Sequence, residues 1–121
     1  MAKFASDAVL DALLDKVATG VTLTVCSAQP TSYAEATSTY KLADVTIDGS
    51  DFTKNDGDVS GRKVTVAEQE DVDVDSTGTA THVAICDGSV LLYVTTCTSQ
   101  ALTSGNTVTV PAWDIEVADP S

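Results

Sequence analysis

The stretch ATHVAICDGSVLLYVTT, residues 80–96, decides the fold of this chain. Strand-forming residues stand on both sides of Asp87-Gly88, a dipeptide that can adopt the two positive φ angles of a type I′ turn. The stretch therefore predicts a β-hairpin in which a two-residue turn places His82 opposite Tyr93. It indicates a β scaffold and contains no catalytic motif.

A helical pattern precedes the hairpin, near the start of the sequence. Ser6 suits the N-cap of a helix, and Gly20 can end the helix in a left-handed conformation. We therefore predict an amphipathic helix over residues 6–18. Its apolar stripe packs on the chain's own sheet or, alternatively, binds a partner. The stripe consists of Val9, Leu10, Leu13, Leu14 and Val17.

Short strands and turn signals fill most of the remaining sequence. This pattern predicts a mainly β (α+β) fold, an antiparallel β-sandwich or barrel-like sheet with the helix over one face or end. The Ser-x-x-Glu pattern at residues 32–35 predicts a short second helical turn. The polar residues 50–61 are expected to form a mobile surface loop. We interpret residues 1–121 as a single domain, with an N-terminal arm at 1–5 and a β-rich body at 21–117.

Composition limits the classes of partner. The 121 residues include 18 acidic and 6 basic side chains, which gives a net charge of −12. Such a chain repels nucleic acids and anionic membranes and favours basic partner surfaces. Residues 1–5 contain no apolar run that could act as a signal peptide, and no later segment is long enough to span a bilayer. We therefore expect a soluble protein that is made in the cytoplasm.

Residues for catalysis, metal binding or a cofactor are scarce. His82 is the only histidine, and the predicted hairpin places it in mid-strand, where a structural role is the simplest interpretation. The three cysteines, Cys26, Cys86 and Cys97, form no CxxC pair, so a zinc site is not expected. We interpret them as buried, reduced thiols. The sequence predicts a protein that is not an enzyme, with no cofactor.

The acidic run at residues 68–75 is the best candidate for a cation site. Asp71, Asp73 and Asp75 would line one face of a strand, with about 7 Å between successive carboxylates. That spacing is too wide for all three to hold one ion, and the EF-hand pattern is not met. A solvated strand face is the main interpretation, and a weak Ca²⁺ site or a contact with a basic partner are the alternatives.

Five residues are candidates for contacts with other subunits. Trp113 stands at the entry to the last predicted strand, as an anchor of the core or of an interface. Lys3 and Phe4 form a short arm ahead of the helix, which is either a frayed terminus or a segment that docks on a neighbour. Asp56 and Asp58 lie in the predicted loop.

Several segments resemble a group of small proteins that tailed bacteriophages encode near the major capsid gene. The N-terminal segments are FASDAVLD (4–11), VCSAQP (25–30), YAEA (33–36) and SGRK (60–63). The C-terminal half contributes TATHVA (79–84), the Asp87-Gly88 pair and GNTVTVPAWDIE (105–116). Some members of this group resemble head decoration, or cement, proteins.

The resemblance implies a structural virion protein. It would sit on the outer capsid surface as a homo-oligomer, commonly a trimer, bind the major capsid protein and stabilise the head against genome pressure. No catalytic residues come with the resemblance. A structural protein of the phage tail (tube, tip or fibre-associated) is the alternative. A module that binds the host surface is a further one, although an aromatic content of 5% argues against it.

Overall fold

The computed structural model describes residues 6–57 and 61–117. The helical elements are α1 (Asp7–Val17), a π-helical turn (Glu35–Thr39) and a 3-10 turn (Gly49–Asp51). The strands are β1 (Thr22–Cys26), β2 (Lys41–Thr46), β3 (Phe52–Asp56), β4 (Arg62–Val66), β5 (Gln69–Asp73), β6 (Gly78–Cys86), β7 (Leu91–Leu102), β8 (Thr107–Val110) and β9 (Trp113–Val117). No helix within these two ranges is long and apolar enough to cross a membrane.

The strands form three antiparallel sheets. A four-stranded sheet has the order β2-β1-β6-β7, a three-stranded sheet the order β3-β4-β9, and β5 pairs with β8. A bridge between Ala43 and Val74 joins the β5–β8 pair to β2. The predicted mainly β, α+β fold with antiparallel sheets and an N-terminal helix is therefore confirmed.

The core lies between the sheets because strand residues alternate between the two faces of each strand. Leu23 and Val25 of β1 and Val64 and Val66 of β4 face this core, as do residues from one side of α1. In β6, Val83 and Ile85 face the same core, whereas Ala84 and Cys86 are buried on the other face of the sheet in a small cluster with Ala36. The largest fully buried side chains of this core are Leu14, Leu23, Val64, Val66 and Ile85.

Helix α1 begins where the sequence predicts, because the Ser6 hydroxyl accepts a hydrogen bond from the Val9 amide at 3.4 Å. Its apolar stripe is only half buried, so the prediction that the stripe packs on the sheet is wrong for two residues. Leu10 and Leu14 are 3% and 1% exposed, whereas Val9 and Leu13 are 57% and 55% exposed. The helix therefore presents a second apolar face to solvent.

Ion pairs on the opposite flank of α1 account for this orientation. The Asp11 carboxylate lies 2.8 Å from Arg62 Nε, and the Asp15 carboxylate lies 2.6 Å from Lys54 Nζ. Both pairs connect the helix to the three-stranded sheet, and α1 packs on β4. With that flank held, Leu10 and Leu14 face the core.

The predicted role of Gly20 is wrong. The helix ends with Ala18 in a right-handed conformation, and Gly20 has no positive φ. The reason for a glycine here is space, because a Cβ atom at residue 20 would lie 2.4 Å from Ile85 Cγ2. Gly20 thus allows the chain to pass directly over β6.

The predicted mobile loop at residues 50–61 is also wrong over most of its length. Phe52–Asp56 is β3, which pairs with β4 along its whole length. Its sequence hides the strand because four of its five residues are exposed on an edge, so no alternation of apolar and polar residues appears. Asp58 lies outside the described residues.

The hairpin exists, but its turn differs from the prediction. Asp87 Oδ1 accepts hydrogen bonds from the amides of Ser89 and Val90, both at 2.7 Å, and this Asx-type turn gives a four-residue loop without positive φ. With a bulge after Ile85, the longer loop places His82 opposite Thr96 instead of Tyr93.

The second helical turn is confirmed and includes the π-helical residues Glu35–Thr39. Ser32 Oγ accepts a hydrogen bond from the Glu35 amide at 3.2 Å, as a capping box requires. The Glu35 carboxylate, however, accepts from the amide and the hydroxyl of Thr31.

Replacing Gly20 by alanine tests the contact between the helix exit and β6. The new methyl group must displace the buried Ile85 side chain, so we expect a loss of about 1–3 kcal/mol in the free energy of unfolding. Gly88→Ala is the matched control, because a Cβ at residue 88 meets no atom within 4 Å. Urea denaturation of both variants measures the difference, and equal midpoints would contradict this account.

Candidate functional site

A groove runs between β7 and the corner where β8 turns into β9. It has two compartments, with volumes of about 180 and 310 Å³. The compartments share the residues Val83, Cys97, Thr98, Val110 and Pro111. Most of this shared wall is apolar, which makes the groove a candidate site for apolar side chains of a partner.

Irregularities in two strands open the groove. His82 pairs with Thr96 and Ala80 with Gln100, so residues 97–99 of β7 form a bulge opposite Thr81. On the other side Pro111, which lacks an amide donor, separates β8 from β9. The two strand edges therefore stay apart, and no pairing joins β7 to β8 or β9 among the described residues.

Trp113 forms one end of the wider compartment. Its ring stacks on Tyr93, with ring centroids 5.9 Å apart, and both residues pack against the core. The indole Nε1 is buried without a hydrogen-bond acceptor. Trp113 thus packs as a core anchor and also lines the groove, and its contact with another subunit remains a prediction.

Asp114 is the charged residue among the described lining side chains. Its carboxylate accepts a hydrogen bond from Thr65 Oγ1 at 2.7 Å and lies 3.4 Å from Lys63 Nζ. These contacts, with the Thr65 hydrogen bond first, hold the pKa of Asp114 below its usual value. Because the carboxylate is paired, the groove itself is close to neutral.

A second candidate surface is the outer face of α1. Val9 and Leu13 are more than half exposed, and Ala8, Ala12 and Lys16 are exposed beside them. Val21, just after the helix, and Val90, in the hairpin loop, are 44% and 49% exposed.

These two surfaces contain one of the five predicted contact residues, Trp113. Asp56 ends β3, is not a lining residue of the groove, and its carboxylate lies 2.7 Å from Arg62 Nη1. Lys3, Phe4 and Asp58 lie outside the described residues. Sequence reasoning missed the groove because it is formed by residues far apart in the chain. It noted Val9 and Leu13 in the apolar stripe of the helix, with packing on the sheet as the main prediction and binding of a partner as the alternative.

His82 lies in mid-strand between Cys26 on β1 and Thr96 on β7. Its Nδ1 is 2.8 Å from the hydroxyl of the adjacent Thr81, and the ring is half-buried. The structural role inferred from the sequence matches this placement in a sheet.

The acidic run forms a broken strand edge. Val72 and Val74 are buried, while Asp71, Asp73 and Asp75 are exposed. Asp71 has a φ of 54° at a bulge, so the regular spacing expected for the three carboxylates is interrupted. Among residues 6–57 and 61–117, no group of three or more His, Cys, Asp or Glu side chains could hold a metal ion.

The three cysteines are free thiols. Cys26 and Cys86 are buried as predicted, and Cys97 is half-buried at the groove. Burial, with the nearby Cys26 and Asp87, raises the pKa of the Cys86 thiol to about 11. Burial also raises the pKa of Cys97. These thiols therefore remain protonated and weakly nucleophilic at neutral pH.

Comparison of the chain with protein-family models, with curated proteins and with solved structures finds no match. The resemblance to phage head proteins rests on the segments quoted above, and its functional implications are proposals.

The Cys86 thiol predicts a loss of stability in alkali. Its pKa is higher in the folded protein than the ordinary value of 9.0, so its stabilising contribution is present below pH 9 and is lost as the pH rises towards 11. We expect Cys86→Ala to flatten the decline in unfolding free energy between pH 9 and 11, measured by urea denaturation. Parallel curves for the variant and the natural chain would contradict this prediction.

Proposed function

We propose that this chain is a structural virion protein, a decoration protein that binds the outer surface of a tailed-phage head as a homo-oligomer. Its partners are the major capsid protein and further copies of itself, most simply as a trimer, and it stabilises the capsid against the pressure of the packaged genome. The segments that resemble phage head proteins, and a mainly β fold without a recognised catalytic arrangement in the described residues, support this proposal.

The outer face of α1 is the observation that carries the proposal. Val9 and Leu13, at helical spacing of four, expose large apolar side chains that a monomer gains nothing by leaving in water. The flanking residues Ala8 and Ala12 are small enough to let another backbone approach. Lys16 adds a positive charge. A surface of this kind is typical of a contact with another protein.

A second copy is the occupant that the charges favour for this face. The chain carries a net charge of −12, so most of its surface repels another copy. Residues 8, 9, 12, 13 and 16, which form the outer face of α1, include no acidic residue, and the Asp87 carboxylate beside this face interacts with Lys16. Copies that meet there bring few carboxylates together. Burial of about 800 Å² on each subunit is usual for a stable interface, so residues beyond the helix must also take part.

Attachment to the capsid would then use many weak contacts at once. Trp113 and Asp56, with Lys3, Phe4 and Asp58 outside the described residues, remain the proposed contact residues. Because an oligomer presents each contact several times, the effective affinity exceeds that of one subunit by orders of magnitude. This arrangement suits a protein that must hold a capsid lattice without any chemistry.

Cryo-electron microscopy of the intact phage particle that contains this chain tests the proposed location. Density for the chain on the outer capsid at three-fold or quasi-three-fold positions would support the decoration role. Recovery of the chain only in the tail, at a few copies per particle, would overturn it and favour a tail structural protein.

Substitution on the outer face of α1 tests the self-contact. We expect Leu13→Glu to reduce the oligomer to monomers. Each subunit would then have to bury an unpaired carboxylate in the interface, close to the same charge on the neighbouring subunit. Since Leu13 is more than half exposed in the single chain, the fold should survive, which circular dichroism checks. Light scattering after size-exclusion chromatography measures the mass.

The matched control is Ser38→Glu, which adds the same charge at an exposed residue away from the helix face. It should leave the mass of the oligomer unchanged. A Leu13→Glu variant with the mass of the natural chain would contradict the proposed interface.

A further inference from the structure

Strand β7 presents an open edge beside the groove. It is the end strand of its sheet, and among the described residues it pairs only with β6. In an antiparallel strand every second residue directs its amide and carbonyl away from the paired neighbour. Thr95 and Thr96 line the wider compartment and are consecutive, so one of the two directs its free amide and carbonyl to the groove. Such an edge can add a strand from another chain.

The groove next to that edge has the size and chemistry for aliphatic side chains. Its compartments of about 180 and 310 Å³ lie at or below the range of about 300–1,000 Å³ typical of small-molecule sites. They are open, shallow and lined by Val83, Val108, Val110 and the ring of Trp113. Side chains of an extended segment fit this shape better than a compact ligand does.

Acidic residues flank the groove one strand away. β8 forms a wall of the groove and pairs with β5, in the register Gln69↔Val110 and Asp73↔Thr107. Neighbouring strands lie about 5 Å apart, so the exposed Glu70, Asp71 and Asp73 of β5 lie close to the rim. Glu68, through a hydrogen bond and its charge, raises the pKa of Glu70, as crowded carboxylates do.

We propose that the groove is a docking site for an extended segment of another protein in which apolar residues alternate with Lys or Arg. The segment lies along the edge of β7 at Thr95 and Thr96. Its apolar side chains enter the groove, and its basic side chains face the acidic rim on β5. The site does not depend on the assignment to a phage head, because it rests on the edge, the groove and the rim alone.

The charges select a different protein over a second copy as the donor of this segment. The chain has 6 basic residues, and none of its segments alternates two of them with apolar residues. A strand from a second copy would bring further carboxylates to the acidic rim. In a basic segment, by contrast, the outward-facing Lys or Arg side chains are attracted to the carboxylates of the rim, and the apolar side chains enter the neutral groove.

A blocked peptide, acetyl-Val-Lys-Val-Lys-Val-Lys-Val-amide, is the first probe. Trp113 is the only tryptophan and lines the groove, so its fluorescence reports binding to the full chain. We expect saturable binding, with hydrogen exchange slowed in β7. The same peptide with Glu in place of Lys should bind at least about 10-fold more weakly, because its charges repel the acidic rim. N-methylation of the backbone amides that face β7 should weaken the Lys peptide by at least as much, because it removes their hydrogen bonds. These amides belong either to the three lysines or to the four valines, so both methylated peptides are tested.

Variants of the chain locate the site. Thr98 lines both compartments and is exposed, so Thr98→Lys should weaken the Lys peptide at least about 10-fold by placing a like charge in the groove. Ser99→Lys is the matched control, since Ser99 is exposed on the same strand but does not line the groove, and its effect should be clearly smaller.

The rim is tested by Asp71→Asn and Asp73→Asn, each expected to weaken binding by about 1.5- to 5-fold. Asn tolerates the positive φ of residue 71, so the backbone should not change. Asp15→Asn, on the helix, should have no effect. The proposal is overturned if the Lys peptide fails to bind, if the Lys and Glu peptides bind equally, or if Thr98→Lys and Ser99→Lys weaken binding to the same extent.

Discussion

The excess of acidic charge is the constraint on which the arrangement of this protein depends. The chain has 18 acidic and 6 basic residues, so carboxylates repel one another over much of its surface. Each of the few cations can reduce this repulsion where carboxylates lie close together. Among residues 6–57 and 61–117, four cations form ion pairs with Asp carboxylates, and each of the four has at least one partner in a distant part of the sequence. Single exposed pairs contribute about 0.2–1 kcal/mol, so they set orientation more than stability. The four are Lys41, Lys54, Arg62 and Lys63.

The orientation of α1 is the clearest effect of these pairs. Arg62 and Lys54 hold one flank of the helix on the β3–β4 hairpin, which turns Leu10 and Leu14 inwards and leaves Val9 and Leu13 outside. The molecule thereby has two surfaces of different chemistry. The helix face is apolar and free of carboxylates, whereas the groove at β7 is apolar with an acidic rim.

The sequence predicts what depends on neighbouring residues. The Ser6 cap, the helix, the two strands of the hairpin at residues 80–96 and the second helical turn follow from local patterns, and the structure confirms them. Strand β3 could not be predicted because it is an exposed edge strand that depends on its pairing with β4. The Asx-type turn was missed because Asp87 can either adopt the positive φ of a type I′ turn or accept backbone hydrogen bonds with its carboxylate. The local sequence allows both, and the pairing of the two strands decides between them. Of the candidate site, only Trp113 was identified, since the groove requires residues from β1 to β9 to meet.

The pairing of β4 with β9 has a consequence for the order in which the chain folds. Val64 pairs with Ile115, so the three-stranded sheet closes only after the intervening hairpin and the β5–β8 pair have been synthesised. Until then one edge of β4 is free on the nascent chain. The side chains of Val64 and Val66, which are buried in the folded protein, are exposed at the same time. Contacts between residues so distant in sequence form slowly, because closing a long loop costs entropy before the pairing compensates for it. Translation therefore includes an interval in which an apolar strand with one unpaired edge is exposed, and aggregation in the cell competes with folding during that interval.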